Sequence, residues 1–191
     1  GISYQTVNYG VVTGALIGEY QIKNTNTILC AIRELGITDV EAVKKGFLNV
    51  VQLTGLMGRW QILCNQPLIV CDTGHNVGGW KYLSKQIIHQ ECHQKHIVFG
   101  MVDDKDIDSV MELLPKDAIY YWSQATTHRA IPSQVVAQKG LAHGLVGRVY
   151  DSVESAYMAA LAIAVPNDFV FIGGSSYIVS DLLACLATPK E

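Results

Sequence analysis

The sequence predicts an α/β fold: a mostly parallel six-stranded sheet with helices on both faces and an antiparallel first strand, preceded by a helical segment outside the sheet. Three observations carry this. From Trp60 onward, short apolar runs alternate with stretches of helical spacing, the pattern of a parallel sheet covered on both faces. The first two runs, Trp60–Cys64 and Leu68–Cys71, are separated only by Asn65-Gln66-Pro67, too few residues for a parallel crossover, so they pair as an antiparallel hairpin. Apolar residues make up 49% of the 191 and charged residues 16%, ample for a packed core.

Taken in order, an alternating segment from Tyr9 to Ile17 is too short to make a sheet alone, which points to missing upstream sequence. From Gln21, the residues Ile22, Ile28, Leu29, Ile32 and Leu35 fall at helical spacing, with Gly36 as C-cap. A second helix runs from Asp39 to about Val51, with Thr38 or Asp39 as N-cap. Thr54-Gly55 breaks the pattern, placing a domain boundary near residues 52–58 and dividing the chain into 1–55 and 56–191. The later strands are His96–Met101, Ala118–Trp122, Gly147–Tyr150 and Asp168–Ile172. Helices are expected near Val77–Cys92, Ile107–Leu114, Ser133–His143, Ser152–Ala164 and Ser176–Leu186.

Composition narrows the function. A net charge of -3 with scattered Lys and Arg gives no footprint for nucleic acid. No apolar stretch is long enough to span a membrane and no signal peptide opens the chain, so a cytoplasmic protein is expected. Five cysteines without a C-x-x-C pair read as small buried hydrophobes of a reducing compartment.

Chemistry-bearing residues collect after the strands, where open α/β sheets bind ligands. The run Leu68–Cys71 leads into Asp72-Thr73-Gly74-His75-Asn76 and a helix. A carboxylate and an imidazole on one turn can orient an amine or shuttle a proton; plain helix capping by Asp72 and Asn76 is the competing reading. Gly173-Gly174-Ser175-Ser176-Tyr177 follows the last strand, its serines placed at a helix N-terminus; an ordinary turn capped by Ser176 competes. Asp103-Asp104-Lys105-Asp106 could hold a metal, but Lys105 intrudes and Asp106 suits a helix cap. In the His89, Cys92, His93, His96 cluster, Gln90 replaces the Glu of H-E-x-x-H, so a solvated helix end competes with zinc. Arg59 and Arg129 are candidate cations for phosphate or carboxylate.

In this order the segments resemble the folylpolyglutamate synthase and dihydrofolate synthase family of Mur-type ligases. Gly18, Gln21 and Asn24 resemble a G-x-x-Q-x-x-N segment, and Gly58-Arg59-Trp60-Gln61 is similar to P-G-R-x-Q with Met57 for proline. Asp72-Thr73-Gly74-His75-Asn76 resembles D-x-A-H-N, with Gly74 for alanine and Val77 where proline commonly follows. The stretch from Phe99 to Asp106 looks like F-G-x-x-x-D-K-D, and Gly174-Ser175-Ser176-Tyr177 like a late G-S-x-Y motif.

The resemblance implies a Rossmann-like Mur ligase C-terminal domain at 56–191, with 1–55 the helical remnant of a central ATPase domain. It implies a ligase that uses ATP and Mg²⁺ to add L-glutamate to dihydropteroate, a folate or both through an acyl phosphate. By similarity Asn24, Arg59 and Asp72 contact the nucleotide, while His75, Ser175 and Tyr177 line the glutamate side. The P-loop and magnesium ligands belong to an upstream domain of the same protein, so the chain is expected to be inactive alone. Another Mur-type amino-acid ligase and a non-catalytic Rossmann-like module are the alternatives.

Overall fold

The computed structural model describes residues 1–103 and 106–187. The chain forms two compact units, Gly1–Trp60 and the residues from Gln61 on. In the first unit, β1 (Ile2–Thr6) and β2 (Gly10–Gly14) form an antiparallel hairpin, followed by α1 (Gln21–Glu34), α2 (Val40–Leu48) and α3 (Val50–Thr54). The predicted alternating segment thus finds a strand partner in residues 2–6. Tyr9, Val12 and Val43 form the buried centre, with Leu29, Ile32 and Phe47 against it. Asp39 caps α2 through the Ala42 N–H, and Gly36 closes α1 at φ +71.

Two expectations change here. The single helix predicted from Asp39 to Val51 breaks at Asn49, whose φ is -111 and whose side-chain amide donates to the Lys45 carbonyl. The apolar stripe of α1 has the predicted period but is largely uncovered within the unit: Ile22 and Leu35 are 59% and 75% exposed.

The second unit holds β3 (Gln61–Asn65), β4 (Leu68–Asp72), α4 (Val77–Ile88), β5 (Lys95–Phe99), α5 (Ile107–Met111), β6 (Ala118–Trp122), α6 (Ser133–Ala142), β7 (Gly147–Val149), α7 (Val153–Ile163), β8 (Phe169–Gly173) and α8 (Ser176–Ala187). The six strands lie in the order β3-β4-β8-β5-β6-β7. Only β3 runs antiparallel, with a bulge between Ile62 and Cys64. The predicted class, a mostly parallel six-stranded sheet with an antiparallel first strand, is the observed one.

The period of two along each strand divides the core. Ile69, Cys71, Val98, Val170 and Ile172 face α7 and α8, packing on Ala156, Tyr157, Ala160, Ile178 and Leu182. The alternate residues Phe99 and Phe171 meet the Trp80 ring of α4 edge-on, with centroids 5.6 and 5.8 Å away. Fully buried apolar side chains of this size contribute about 1.5–3 kcal/mol each, so this sheet is a stiff base for the loops at its edges.

Element ends shift by a few residues. Trp60 stands outside β3 in the left-handed region at φ +47. Helix α4 stops at Ile88, so His89 and His93 do not share a helical face. His93 is instead largely solvent-facing in a loop, while His96 is buried in β5. The cysteine expectation also needs correcting: Cys71 is buried, Cys64, Cys92 and Cys185 are partly covered, and Cys30 is exposed.

Candidate functional site

Parallel pairing sets Asp72 opposite Gly173, and Gly173 opposite Phe99, so β4, β8 and β5 end abreast. The turns that follow them therefore share one edge, where helix N-termini expose free N–H groups. Asp72, His75, Ser175 and Tyr177 are all carried there, by the ends of β4 and β8 and the starts of α4 and α8.

Asp72 is buried, and its Oδ1 accepts the Gly74 N–H at 2.8 Å. It shapes the turn and does not cap the helix; Asn76 does, accepting the Gly79 N–H at 2.8 Å. His75 is exposed, with Nδ1 3.1 Å from the Thr73 carbonyl. A carbonyl only accepts, so Nδ1 carries the hydrogen, and in the neutral ring Nε2 holds the lone pair. Gly74 in the alanine position of the family pattern has a local cause: a β-carbon there would overlap Cδ1 of Leu83.

The turn after β8 depends on glycine. Gly174 has φ +106, and a β-carbon on it would collide with the Gly100 carbonyl oxygen; one on Gly173 would lie 2.7 Å from the Asp72 carbonyl oxygen. Ser175 is 1% exposed, and its Oγ accepts the Ile178 N–H at 3.2 Å. It therefore caps α8 in place of Ser176, which is the first residue of the helix. A capping hydroxyl still has its own O–H to donate. Tyr177, in the first turn of α8, is 38% exposed.

Nearby, the Asp103 N–H donates to the Arg129 carbonyl at 3.0 Å, and Arg129 Nε lies 3.9 Å from Asp103 Oδ1. Asp106 caps α5, and its hydrogen bonds from Ser109 hold its carboxyl below the ordinary value by favouring the charged form. Asp104 and Lys105 lie outside the described residues. Among the described residues, no group of three or more His, Cys, Asp and Glu side chains is placed to hold a metal ion.

Asn24 and Arg59 belong to the first unit. Asn24 is exposed on α1 and donates its amide to the buried Gln21 Oε1 at 3.0 Å, joining the two polar positions of the G-x-x-Q-x-x-N-like segment. Arg59 is partly exposed between Gly58, at φ +68, and Trp60, at φ +47, a bulky residue in a conformation that side chains rarely adopt.

The histidine cluster sits at the opposite, amino edge of the sheet. His96 Nε2 lies 3.3 Å from Asp168 Oδ2 and Nδ1 lies 2.9 Å from the Tyr121 hydroxyl; His93 Nδ1 is 3.2 Å from Asp168 Oδ1. Asp168 also accepts the Val165 and Gln94 N–H groups. Sequence reading missed this carboxylate as a partner, because 72 positions separate it from His96.

An open α/β sheet whose polar turns and helix N-termini gather at the carboxyl edge is a ligand-binding domain of the doubly wound class. Residues 58–176 match the family described as Mur ligase, glutamate ligase domain, and the chain belongs to that family. It is similar to the dihydrofolate synthase/folylpolyglutamate synthase of Escherichia coli (strain K12), 30% identical over 162 residues, covering 84% of this chain and 37% of that protein. It therefore spans well under half the length of that relative. The solved ligand-free bifunctional enzyme of Yersinia pestis superposes with a TM-score of 0.76 at 25% identity, covering 96% of this chain and 44% of that one. A solved bifunctional folylpolyglutamate synthase/dihydrofolate synthase with Mn, AMPPNP and L-glutamate bound matches at 27% identity and TM-score 0.64, over 78% of this chain and 35% of that one. No helix among the described residues is long and apolar enough to cross a membrane.

Proposed function

We propose that this chain is the glutamate-binding end of a cytoplasmic, ATP-dependent amide ligase that joins L-glutamate to dihydropteroate, to a folate, or to both. The observation that carries the reading is the pairing of Asp72 with Gly173, which sets the His75 turn beside the N-terminus of α8. L-glutamate brings an amine and carboxylates. A lone pair on His75 Nε2 accepts a hydrogen from the amine, while the Ser175 hydroxyl, the Tyr177 phenol and the first turn of α8 offer donors to a carboxylate. The glutamate held by a relative of the same family supports this assignment.

Nucleotide contacts are assigned to Asn24 and Arg59 in the first unit and to Asp72 in the second, each on its own chemistry. An exposed amide, a partly exposed guanidinium and a carboxylate suit the polar groups and phosphates of ATP. Bound ATP supplies the phosphoryl group that activates the acceptor carboxylate. The amine of glutamate then attacks the acyl carbon, forming the amide bond as the carbon–oxygen bond to phosphate breaks. For magnesium, the described residues offer no cluster of ligands, so we assign it to an upstream domain and route no step through it here.

In this reading residues 1–55 are the tail of a central ATP-binding domain and residues 56–191 the Mur ligase C-terminal domain. The upstream part of the protein carries the P-loop, and this chain does not turn over by itself. The test is ATP-dependent incorporation of L-glutamate by the protein with its upstream domain, with dihydropteroate and tetrahydrofolate as acceptors. His75→Ala and Ser175→Ala should each lower it by about 100-fold or more. A wild type inactive with both acceptors, unaffected variants, or ATP hydrolysis by this chain alone would each overturn part of the reading.

A further inference from the structure

We infer that Trp80 is a positioning residue: its indole clamps the Thr73–Asn76 turn to the sheet and thereby fixes which nitrogen of His75 accepts a proton. The inference rests on the reading of His75 as a site residue.

Trp80 binds the turn twice. Its indole Nε1–H donates to the Gly74 carbonyl at 3.2 Å, and its main-chain N–H donates to the Asn76 carbonyl at 3.0 Å. The ring itself cannot drift. It is fully buried and held edge-on by Phe99, the last residue of β5, and by Phe171, at the centre of β8.

The consequence for His75 follows from the two peptide planes around Gly74. The Thr73–Gly74 peptide is fixed through its N–H by Asp72 Oδ1, and the Gly74–His75 peptide is fixed through its carbonyl by the Trp80 indole. Glycine is the residue most free to rotate, and here the main-chain groups on both sides of it are held by side chains. With both planes set, the His75 ring stands where Nδ1 reaches the Thr73 carbonyl at 3.1 Å. That bond keeps the hydrogen of the neutral ring on Nδ1 and the lone pair on Nε2, the form able to take a hydrogen from the glutamate amine. Release of the indole bond frees the second plane, and the ring loses its fixed tautomer while the sheet stays intact.

Trp80→Phe keeps an aromatic ring between Phe99 and Phe171 while removing the indole N–H together with part of the ring's volume. On this chain, ¹⁵N NMR should show His75 as the Nδ1–H tautomer in the wild type and as a mixture in Trp80→Phe. Amide exchange at Gly74 should rise about tenfold, the loss of roughly one hydrogen bond, and by more than it rises in β5 and β8, which report the smaller ring alone. In the protein with its upstream domain, the same variant should lower kcat for glutamate incorporation with little change in KM for ATP. An unchanged tautomer and unchanged exchange would overturn the inference. Should the variant fail to fold, a wild-type through-hydrogen-bond coupling decides: one between Trp80 Nε1 and the Gly74 carbonyl carbon would sustain the clamp, and its absence would overturn it. The NMR readouts need no turnover, so a wild type without glutamate transfer would sink the ligase reading and leave the clamp to be judged separately.

Discussion

Gly74 and Leu83 lie so close that a β-carbon on the glycine would overlap Cδ1 of the leucine, which is itself fully buried on α4. The turn that carries His75 thus packs directly on the helix it opens. Gly74→Ala should destabilise the chain by about 1–3 kcal/mol in urea unfolding, the usual effect of forcing a methyl group into a filled core. Adding Leu83→Val should recover part of that loss, because the shorter side chain vacates the contested space. Strictly additive effects in the double variant would show that the two residues do not compete for it.

Ser175 has both a structural bond and a proposed chemical role, and two substitutions separate them. As cap of α8, its loss to alanine should lower stability by about 1 kcal/mol, whereas glycine should lower it by only a few tenths. Glutamate incorporation by the protein with its upstream domain should nevertheless fall to the same low level in both, since neither keeps a hydroxyl. Activity that follows stability instead, high in Ser175→Gly and low in Ser175→Ala, would make the residue a cap alone.

The sheet was legible because each strand announces itself locally: the runs 68–71 and 118–122 are apolar and bounded by turn residues, and the three-residue link at 65–67 admits only a hairpin. The carboxyl-edge turns were legible for the same reason, being punctuation between a run and a helix. What escaped was set by contacts between distant positions. The place of β8 between β4 and β5 is decided by packing across the sheet, and the indole bond from Trp80 to Gly74 depends on the path of the turn. The histidines read as a helix end because spacing continued the pattern past Ile88, whereas the chain turns there to deliver His96 to Asp168.

That network makes a pH-dependent contribution whose sign is fixed. Burial pushes the Asp168 carboxyl up, but hydrogen bonds from the Val165 N–H, His93 and His96 outweigh it and hold the group below its ordinary value of 3.8. A carboxyl with a lowered folded-state value stabilises the fold above its unfolded value and loses that contribution as pH falls through the folded one. Thermal melts between pH 5 and the acid limit should therefore show a steep fall below about pH 4, shallower in Asp168→Asn. At neutral pH Asp168→Ala should cost at least about 3 kcal/mol, since it strips partners from two buried-edge N–H groups and from His96. An acid limb that is identical in wild type and Asp168→Asn would show that other carboxylates set it.

Thiol reactivity probes the same sheet from its centre. Cys71 lies in β4 immediately before Asp72 and is completely buried; burial, aided by the neighbouring carboxylate, pushes its thiol up to about 12. The attacking species in alkylation is the thiolate, so at pH 8 only a minute fraction of Cys71 is reactive, and reagent must also wait for the sheet to open. Cys30, on α1, is exposed and open to reagent. Iodoacetamide at pH 8 followed by mass spectrometry should label Cys30 within minutes and Cys71 only in denaturant. Rapid native labelling of Cys71 would mean that β4 detaches readily from β8, and with it the alignment of Asp72 and Gly173 on which the proposed site depends.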